Sequence, residues 1–371
     1  MDHVVSAVEA LCAACGSTLA PDARFCETCG ARIEPVEPEA PPEPDDVASA
    51  GAGGVGTAAA ACVACGGQIA PDGYCVQCGR PATSPRDHWV EQPSPLVGGV
   101  CDRGVRHSRN EDAMALAGGD GYALLVVCDG VSSAPDSDVA SMAAAKAALA
   151  VLEQGVAGGA RAVTGSGTGR TAAWSGLLAE AAAAGDAAIT AAFTELAHDV
   201  EPPSCTFVAG VVDGAHIVVG WLGDSRAYWM PDDAVPQQLS ADDSGAAELM
   251  AQGVARAQAE TSPVAHAITR WLGPDAPDTT ARTTTTTVHG PGWLLVCSDG
   301  LWNYCSPADE LADLLRATAA DQGGDPALTA GALVTWANAQ GGRDNVTVAL
   351  ARVEPPVSVR SDSLTAPTDL N

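Results

Sequence analysis

The sequence predicts mixed α and β layers built on antiparallel sheet, preceded by two small metal-binding modules. Three observations carry this. Short apolar runs end in acidic turns, as at VVCDG closing on Gly130 and VCSDG closing on Gly300. Alanine-rich stretches separate some of these runs, while others follow one another through a tight turn, as expected of hairpins layered against helices. Eight cysteines before residue 80 fall in four CxxC pairs.

The pairs form an internal repeat. CAACGSTLAPDARFCETCG runs from Cys12 to Gly30, and CVACGGQIAPDGYCVQCG from Cys62 to Gly79. Two knuckles at this separation suit a tetrahedral thiolate site. Cys12, Cys15, Cys26 and Cys29 are therefore expected to hold one structural Zn²⁺, and Cys62, Cys65, Cys75 and Cys78 a second. Units this short bury too little to fold alone, so the metal must supply much of their folding energy. Disulfide pairing, or ligands pooled between the repeats, are the other arrangements open. The expected organisation is ribbon 1 over 10–33, an acidic Pro/Gly linker over 34–60, ribbon 2 over 61–80, and a Pro-rich linker over 81–95. One catalytic-sized domain over 96–354 and a disordered tail over 355–371 complete it.

Within 96–354, Tyr122–Cys128 and Trp293–Cys297 read as buried strands. Asp213-Gly214 between Cys205–Val212 and Ala215–Leu222 reads as a hairpin turn. Arg226–Met230 continues the meander and Val346–Val353 closes it. Helices are expected over 137–154, 172–197, 307–319 and 326–340. The Gly-rich 157–169 reads as a flexible loop; it lacks the lysine of a phosphate-binding loop.

The chain of 371 residues carries 18 Lys+Arg against 46 Asp+Glu, a net charge of −28. Such a field repels nucleic acid and anionic membrane surfaces, so neither is an expected partner. The N-terminus MDHVVSAVEA has no basic region before an apolar stretch. The alanine-rich segment around 139–151 includes Lys146 and reads as too short to span a bilayer. A cytoplasmic protein is the expectation.

The acidic turns carry the chemistry. Asp129, Asp224, Asp299 and Asp344 each sit where an apolar run meets a turn, and strand ends can hold carboxylates rigidly together. Carboxylates without His or Cys alongside suit hard cations such as Mg²⁺ or Mn²⁺. Water shared by two such ions loses a proton near neutral pH and can attack phosphorus directly, with no covalent enzyme intermediate. Any one Asp-Gly after a strand is most often only a turn; it is their joint occurrence that points to a site.

In order, DRGVRHSRNEDA (Asp102–Ala113), VVCDGVSS (Val126–Ser133), GDSRAY (Gly223–Tyr228), TRWLG (Thr269–Gly273), CSDGLW (Cys297–Trp302) and GGRDNVTV (Gly341–Val348) resemble the metal-dependent Ser/Thr protein phosphatases of the PPM, or type-2C, family. The resemblance covers about 96–354 and implies an α+β fold, a layered α-β-β-α sandwich of two antiparallel sheets flanked by helices. It implies that Asp129 bridges two Mn²⁺ or Mg²⁺ ions with the Gly130 carbonyl as a further ligand. Asp299 and Asp344 would hold one ion, Glu111 would reach the other through water, and Asp112 would support the site from behind. Asp224 would join Asp299 at a weaker third ion. The partners implied are proteins phosphorylated by a Ser/Thr kinase; the ribbons, from their composition and lack of a basic patch, are expected to recruit a protein partner or to position and regulate the catalytic domain.

Two positions depart from the family pattern. The phosphate-binding arginine expected five residues before the Asp of the first motif is replaced by His107, flanked by Arg106 and Arg109. Histidine cannot clamp phosphate bidentately as a guanidinium does, so Arg106 is the first candidate for that role and Arg109 the second. Val131 stands where some members carry a histidine after the Asp-Gly, which leaves metal-bound water or His107 to protonate the leaving group.

Overall fold

The computed structural model describes residues 61–354 apart from 63–64, 71–72, 81, 133, 163–166 and 196–200. Cys12, Cys15, Cys26 and Cys29 of the first ribbon, the 34–60 linker and the 355–371 tail lie outside the described residues.

Eleven strands among the described residues form two sheets. The strands are β1 (His88–Ser94), β2 (Val97–Asp102), β3 (Ala113–Gly119), β4 (Tyr122–Cys128), β5 (Phe207–Asp213), β6 (His216–Leu222), β7 (Arg226–Pro231), β8 (Gln237–Gln238), β9 (Arg282–Thr287), β10 (Gly292–Cys297) and β11 (Val346–Val353). One sheet has the order β1-β2-β11-β10-β7-β8 and the other β3-β4-β5-β6-β9. Every ladder is antiparallel. Leu125, Val127, Val208, Leu294, Val296 and Ala349 pack between the sheets.

Helices α1 (Ser137–Ala157) and α2 (Gly167–Glu195) cover the outer face of the second sheet. Ala140, Ala144 and Ala148 of α1 meet Ala113, Ala115 and Leu124 there, small side chains that let the backbones approach. The short helices α3 (Gly245–Ala251) and α4 (Arg256–Ala259) lie in the segment between β8 and β9. Past β10 come α5 (Asp299–Trp302), α6 (Ala308–Asp321) and α7 (Pro326–Gln340), which bury Leu311, Leu315, Leu333 and Val334 on the first sheet. The α-β-β-α sandwich is the fold expected.

Several local expectations need correction. The 81–95 segment is not a linker throughout: a 3-10 turn at Pro85–Asp87 leads into β1. Proline suggested a linker, but β1 is an edge strand whose register shifts between Glu91 and Ser94, where Pro93 costs no ladder bond. The hairpin turn falls at Gly214-Ala215, one residue later than expected. Asp213 stays in the strand because its buried carboxylate accepts from Trp174 Nε1 at 3.0 Å and Arg161 Nε at 3.2 Å. Helix α2 starts at Gly167, inside the stretch read as a loop. Helix α1 has 21 residues, and both α1 and α2 are long and apolar enough to cross a membrane by length and composition, against the expectation for 139–151. Here their apolar faces meet the sheet.

In the second ribbon, Cys62 and Cys78 sulfurs lie 3.6 Å apart and those of Cys65 and Cys75 3.5 Å, too far for a disulfide of about 2.05 Å. All four Sγ atoms fall within 4.8 Å of one another, close to the edge of about 3.8 Å that four Zn–S bonds of a tetrahedron require. The glycine of each CxxCG is required by its backbone: Gly66 at φ +75° and Gly79 at φ +69° donate N–H to the Cys62 and Cys75 carbonyls. The Cys78 backbone N–H pulls the Cys75 thiol down to about 6, while contacts with the Cys78 and Cys75 sulfurs push Cys65 up to about 12, so without metal the negative charge rests on Cys75.

Close packing of β2 on α7 gives a test. A Cβ on Gly98 would lie 2.5 Å from Ala327 N and 2.8 Å from its Cα, whereas Gly176 of α2 is exposed with nothing within 4 Å. Gly98→Ala should cost about 1–3 kcal/mol in urea unfolding. Gly176→Ala should add about 0.5–1 kcal/mol by restricting the unfolded chain.

Candidate active site

Antiparallel order brings the four acidic turns to one edge of the sandwich. Asp129 follows β4, Asp224 lies between β6 and β7, Asp299 follows β10, and Asp344 precedes β11. Burial and mutual repulsion act on Asp129, Asp224 and Asp299, and on Asp112 behind them. Burial pushes Asp129 well above the usual carboxylate range, and the charges of Asp112, Asp299, Asp344 and Asp224 push it further. Asp299 is raised in the same way by burial, Asp344 and Asp224. Burial, then Asp242, lifts Asp224 to about 7, and burial lifts Asp112 to about 6.

The oxygens are poorly satisfied. Asp299 Oδ1 and Asp112 Oδ1 are buried with no hydrogen-bond partner among the described residues. Asp299 Oδ2 accepts from Asn303 Nδ2 at 2.9 Å. An apolar core would not tolerate such groups; bound cations would satisfy them, and an all-oxygen donor set fits Mg²⁺ or Mn²⁺.

Neighbouring residues fix the geometry. Asn345 accepts the Glu111 N–H at 2.7 Å and donates to the Arg103 and Arg109 carbonyls at 2.8 and 3.1 Å, pinning the 103–111 loop beside Asp344. Gly104, at φ +75°, is needed because a Cβ there would collide with the Asp344 carbonyl oxygen. Ser298 Oγ and Thr347 Oγ1 each donate to Asp112 Oδ2 at 2.7 Å. Thr206 Oγ1 accepts the Asp129 N–H at 3.0 Å and pairs with Ser225 Oγ at 2.7 Å, tying the Asp129 turn to the Asp224 turn. At Gly130 a Cβ would lie 2.6 Å from the Glu111 carbonyl oxygen, which receives the Gly130 N–H.

Other expected residues stand differently. Glu111 is buried, but Arg109 gives both Nε and Nη2 to its Oε1, at 2.9 and 2.6 Å, and Ser132 Oγ donates to Oε2 at 2.6 Å. Arg109 is thus engaged with a carboxylate two residues away, because the intervening turn lets the guanidinium fold back. Arg106 is exposed and makes no ion pair among the described residues. His107 Nε2 lies 3.2 Å from Asp344 Oδ1, with Nδ1 4.0 Å from Glu111 Oε2.

Sequence reading missed two features. His266 brings a ring nitrogen within 4.8 Å of oxygens of Asp224 and Asp299 and stacks on Trp302 at 6.4 Å; lying between α4 and the TRWLG motif, it carried no local signal. Arg226 is buried with its guanidinium 3.5 Å over the Trp302 ring, its Nη2 2.7 Å from Asp242 and 3.2 Å from Glu260. Trp302 Nε1 in turn donates to the Asp224 carbonyl at 3.0 Å. A cleft of about 510 Å³ opens here, with Asp299, Asp344, His266, Trp302, Tyr304 and Arg343 on its walls.

Residues 103–334 match the family model described as protein phosphatase 2C, a span that holds Asp129, Asp224 and Asp299 and stops short of Asp344; residues 12–79 match the double zinc ribbon. The serine/threonine phosphatase stp of Listeria innocua is 30% identical over 161 residues, 43% of this chain and 60% of its own length. The serine/threonine protein phosphatase PstP of Mycobacterium tuberculosis is 30% identical over 256 residues, 68% of this chain and 44% of its own. The chain thus spans 60% or less of these curated relatives. The solved structure of the M. tuberculosis phosphatase PstP/Ppp superposes with a TM-score of 0.54 at 26% identity, over 71% of this chain and 99% of that one. A PstP catalytic domain described in complex with two manganese ions shares the fold at a TM-score of 0.51 and 24% identity, over 72% of this chain and 100% of that one.

The carboxylate shifts carry a sign. Asp112 and Asp224 titrate higher folded than unfolded, so between about pH 4 and 7 the folded protein holds protons the unfolded chain has released, and stability falls as pH rises. In buffer freed of Mg²⁺ and Mn²⁺, Tm by calorimetry should be lower at pH 7.5 than at pH 5. Added Mn²⁺ should raise it more at pH 7.5, and Asp224→Asn should flatten the slope.

Proposed function

Because the chain belongs to the protein phosphatase 2C family, we propose that it hydrolyses phosphoserine and phosphothreonine in proteins, using two Mn²⁺ or Mg²⁺ ions. The observation that carries this reading is the cluster of buried carboxylates with unpartnered oxygens at one edge of the sandwich. Asp129, with the Gly130 carbonyl, would bridge the ions; Asp299 and Asp344 would complete one site and Glu111 would serve the other through water. Asp224, Asp299 and His266 would hold a third. When bound, such ions supply charge neutralisation for the phosphoryl oxygens and lower the pKa of water.

The protein's own groups hold this arrangement and shape the reaction. Asp112, fixed by Ser298 and Thr347, supports Asp129 from behind. Arg106, exposed and unpaired among the described residues, is free to take phosphate, whereas Arg109 is held on Glu111. His107, between Asp344 and Glu111, stands within reach to serve the leaving group. Burial pushes the Cys101 and Cys297 thiols well above their usual range, and the Cys128 contact with burial does the same for Cys205, so these thiols are not poised as nucleophiles. Direct attack by water on phosphorus, without a covalent enzyme intermediate, agrees with that.

The ribbons are read as two structural Zn²⁺ sites that dock a protein partner, the domain following them carries catalysis, and the setting is cytoplasmic. The phosphorylated substrates would come from a Ser/Thr kinase.

Purified protein with Mn²⁺ should release phosphate from a phosphothreonine peptide. Asp129→Asn and Asp299→Asn should each lower kcat by about 100-fold or more. Full activity in both variants, or none in the wild type with Mn²⁺, would sink the reading.

A further inference from the structure

Most lysine and arginine side chains in the described part of this acidic chain are already paired. Arg103 meets Asp87, Arg109 meets Glu111, Arg256 meets Glu260, and Arg270 and Arg282 meet Asp243. Among the described residues, only Arg80, Arg106, Lys146 and Arg343 have no carboxylate within 4.0 Å. Two of these four are brought to one rim. The N–H groups of Val105 and Arg106 both donate to the Gly342 carbonyl, at 3.0 and 3.1 Å, and Arg343 follows that glycine directly. The Arg343 N–H is fixed on Tyr304 Oη at 3.0 Å, and its side chain lines the cleft that holds Asp299 and Asp344.

This placement is specific. Gly341 at φ +146° and Gly342 at φ +50° make the turn from α7 into β11. A Cβ on Gly342 would lie 2.5 Å from Val105 Cγ2, so glycine is what lets the two loops touch. Asp344 is next in sequence, yet its oxygen pairs with His107 and Arg343 stays unpaired. Arg109, Arg256 and Arg282, exposed like Arg106 and Arg343, each find a carboxylate. Two that do not, Arg343 on the cleft wall and Arg106 on the loop bonded to the glycine before it, leave donors for an incoming anion.

We propose that Arg343 and Arg106 together form a two-guanidinium clamp for the phosphoryl group of the substrate. The inference rests on the phosphatase reading. A phosphate dianion approaching so acidic a protein needs local positive charge, and guanidinium groups bind its oxygens in pairs. Two loops held on one carbonyl keep the two arginines on neighbouring backbone, close enough in the fold to serve one anion. The GGRDN turn would then serve twice, with Asp344 turned to the cations and Arg343 to the phosphate.

The test uses the full chain with Mn²⁺. KM and kcat are measured on a phosphothreonine peptide, and the affinity for inorganic phosphate by calorimetry. Arg343→Ala should raise KM and weaken phosphate binding about tenfold each, with kcat changed less. Arg343→Lys should recover part of both, and the Arg106→Ala/Arg343→Ala double variant should lose more than either alone. Lys146→Ala removes the same charge on exposed α1 and should change neither. The clamp is overturned if Arg343→Ala leaves phosphate affinity unchanged, or if Lys146→Ala shifts it equally. It is also overturned if only peptides with an acidic residue beside the phosphothreonine respond. Absent Mn²⁺-dependent turnover by the wild type would instead overturn the phosphatase reading, and the clamp with it.

Discussion

Repulsion among buried carboxylates is the constraint on which the rest of this structure depends. Asp112, Asp129, Asp224 and Asp299 each sit where burial and their neighbours' charges disfavour ionisation. No single element could hold them. Two antiparallel sheets can, because alternating strand direction places the ends of β4, β6 and β10 and the start of β11 along one edge. The hydrophobic layers set that edge as a rigid frame, and the turns only have to present one acid each. Closeness costs stability in the cation-free protein, so folding and cation binding are linked through the same oxygens.

Small polar side chains and glycines keep the turns in register. Asn345 binds three backbone groups of the 103–111 loop, Thr206 joins the Asp129 and Asp224 turns, and Ser298 with Thr347 holds one oxygen of Asp112. At Gly104, Gly130 and Gly300 a Cβ would strike a neighbouring carbonyl oxygen. Side-chain amides and hydroxyls suit this work because they satisfy loop backbone without adding charge to a cluster that already carries too much.

The sequence made the acids legible and left their setting largely hidden. Each Asp lies at the junction of an apolar run and a turn, a pattern that survives any tertiary context, and the same runs announced β4, β10 and β11. Strands whose signal depends on neighbours were missed. β3 is Ala-Met-Ala-Leu-Ala-Gly-Gly, small because α1 packs on it; β9 is Arg-Thr-Thr-Thr-Thr-Thr, polar because it is an edge; β1 contains Pro93, which an edge strand tolerates. Side-chain partnership was the least legible. Nothing local to RHSRNED says that Arg109 turns back onto Glu111 while Arg106 does not, since both face the same motif.

Arg226 shows how far such partnership reaches. It belongs to the same GDSR turn as Asp224, yet it is buried between Asp242, Glu260 and the face of Trp302, and Trp302 donates to the Asp224 carbonyl. Removing one partner from a buried charge network costs about 3–5 kcal/mol, because the other charge is left stranded. The network therefore behaves as one unit. Glu260, on the cleft wall, cannot shift without disturbing Arg226, and Arg226 cannot shift without disturbing the ring that holds Asp224. His266 stacks on that same ring while offering a nitrogen to Asp224 and Asp299. The cleft that would receive a substrate and the carboxylates that would receive a third cation thus meet at one tryptophan, which carries Arg226 over its ring, stacks on His266 and donates to the Asp224 carbonyl.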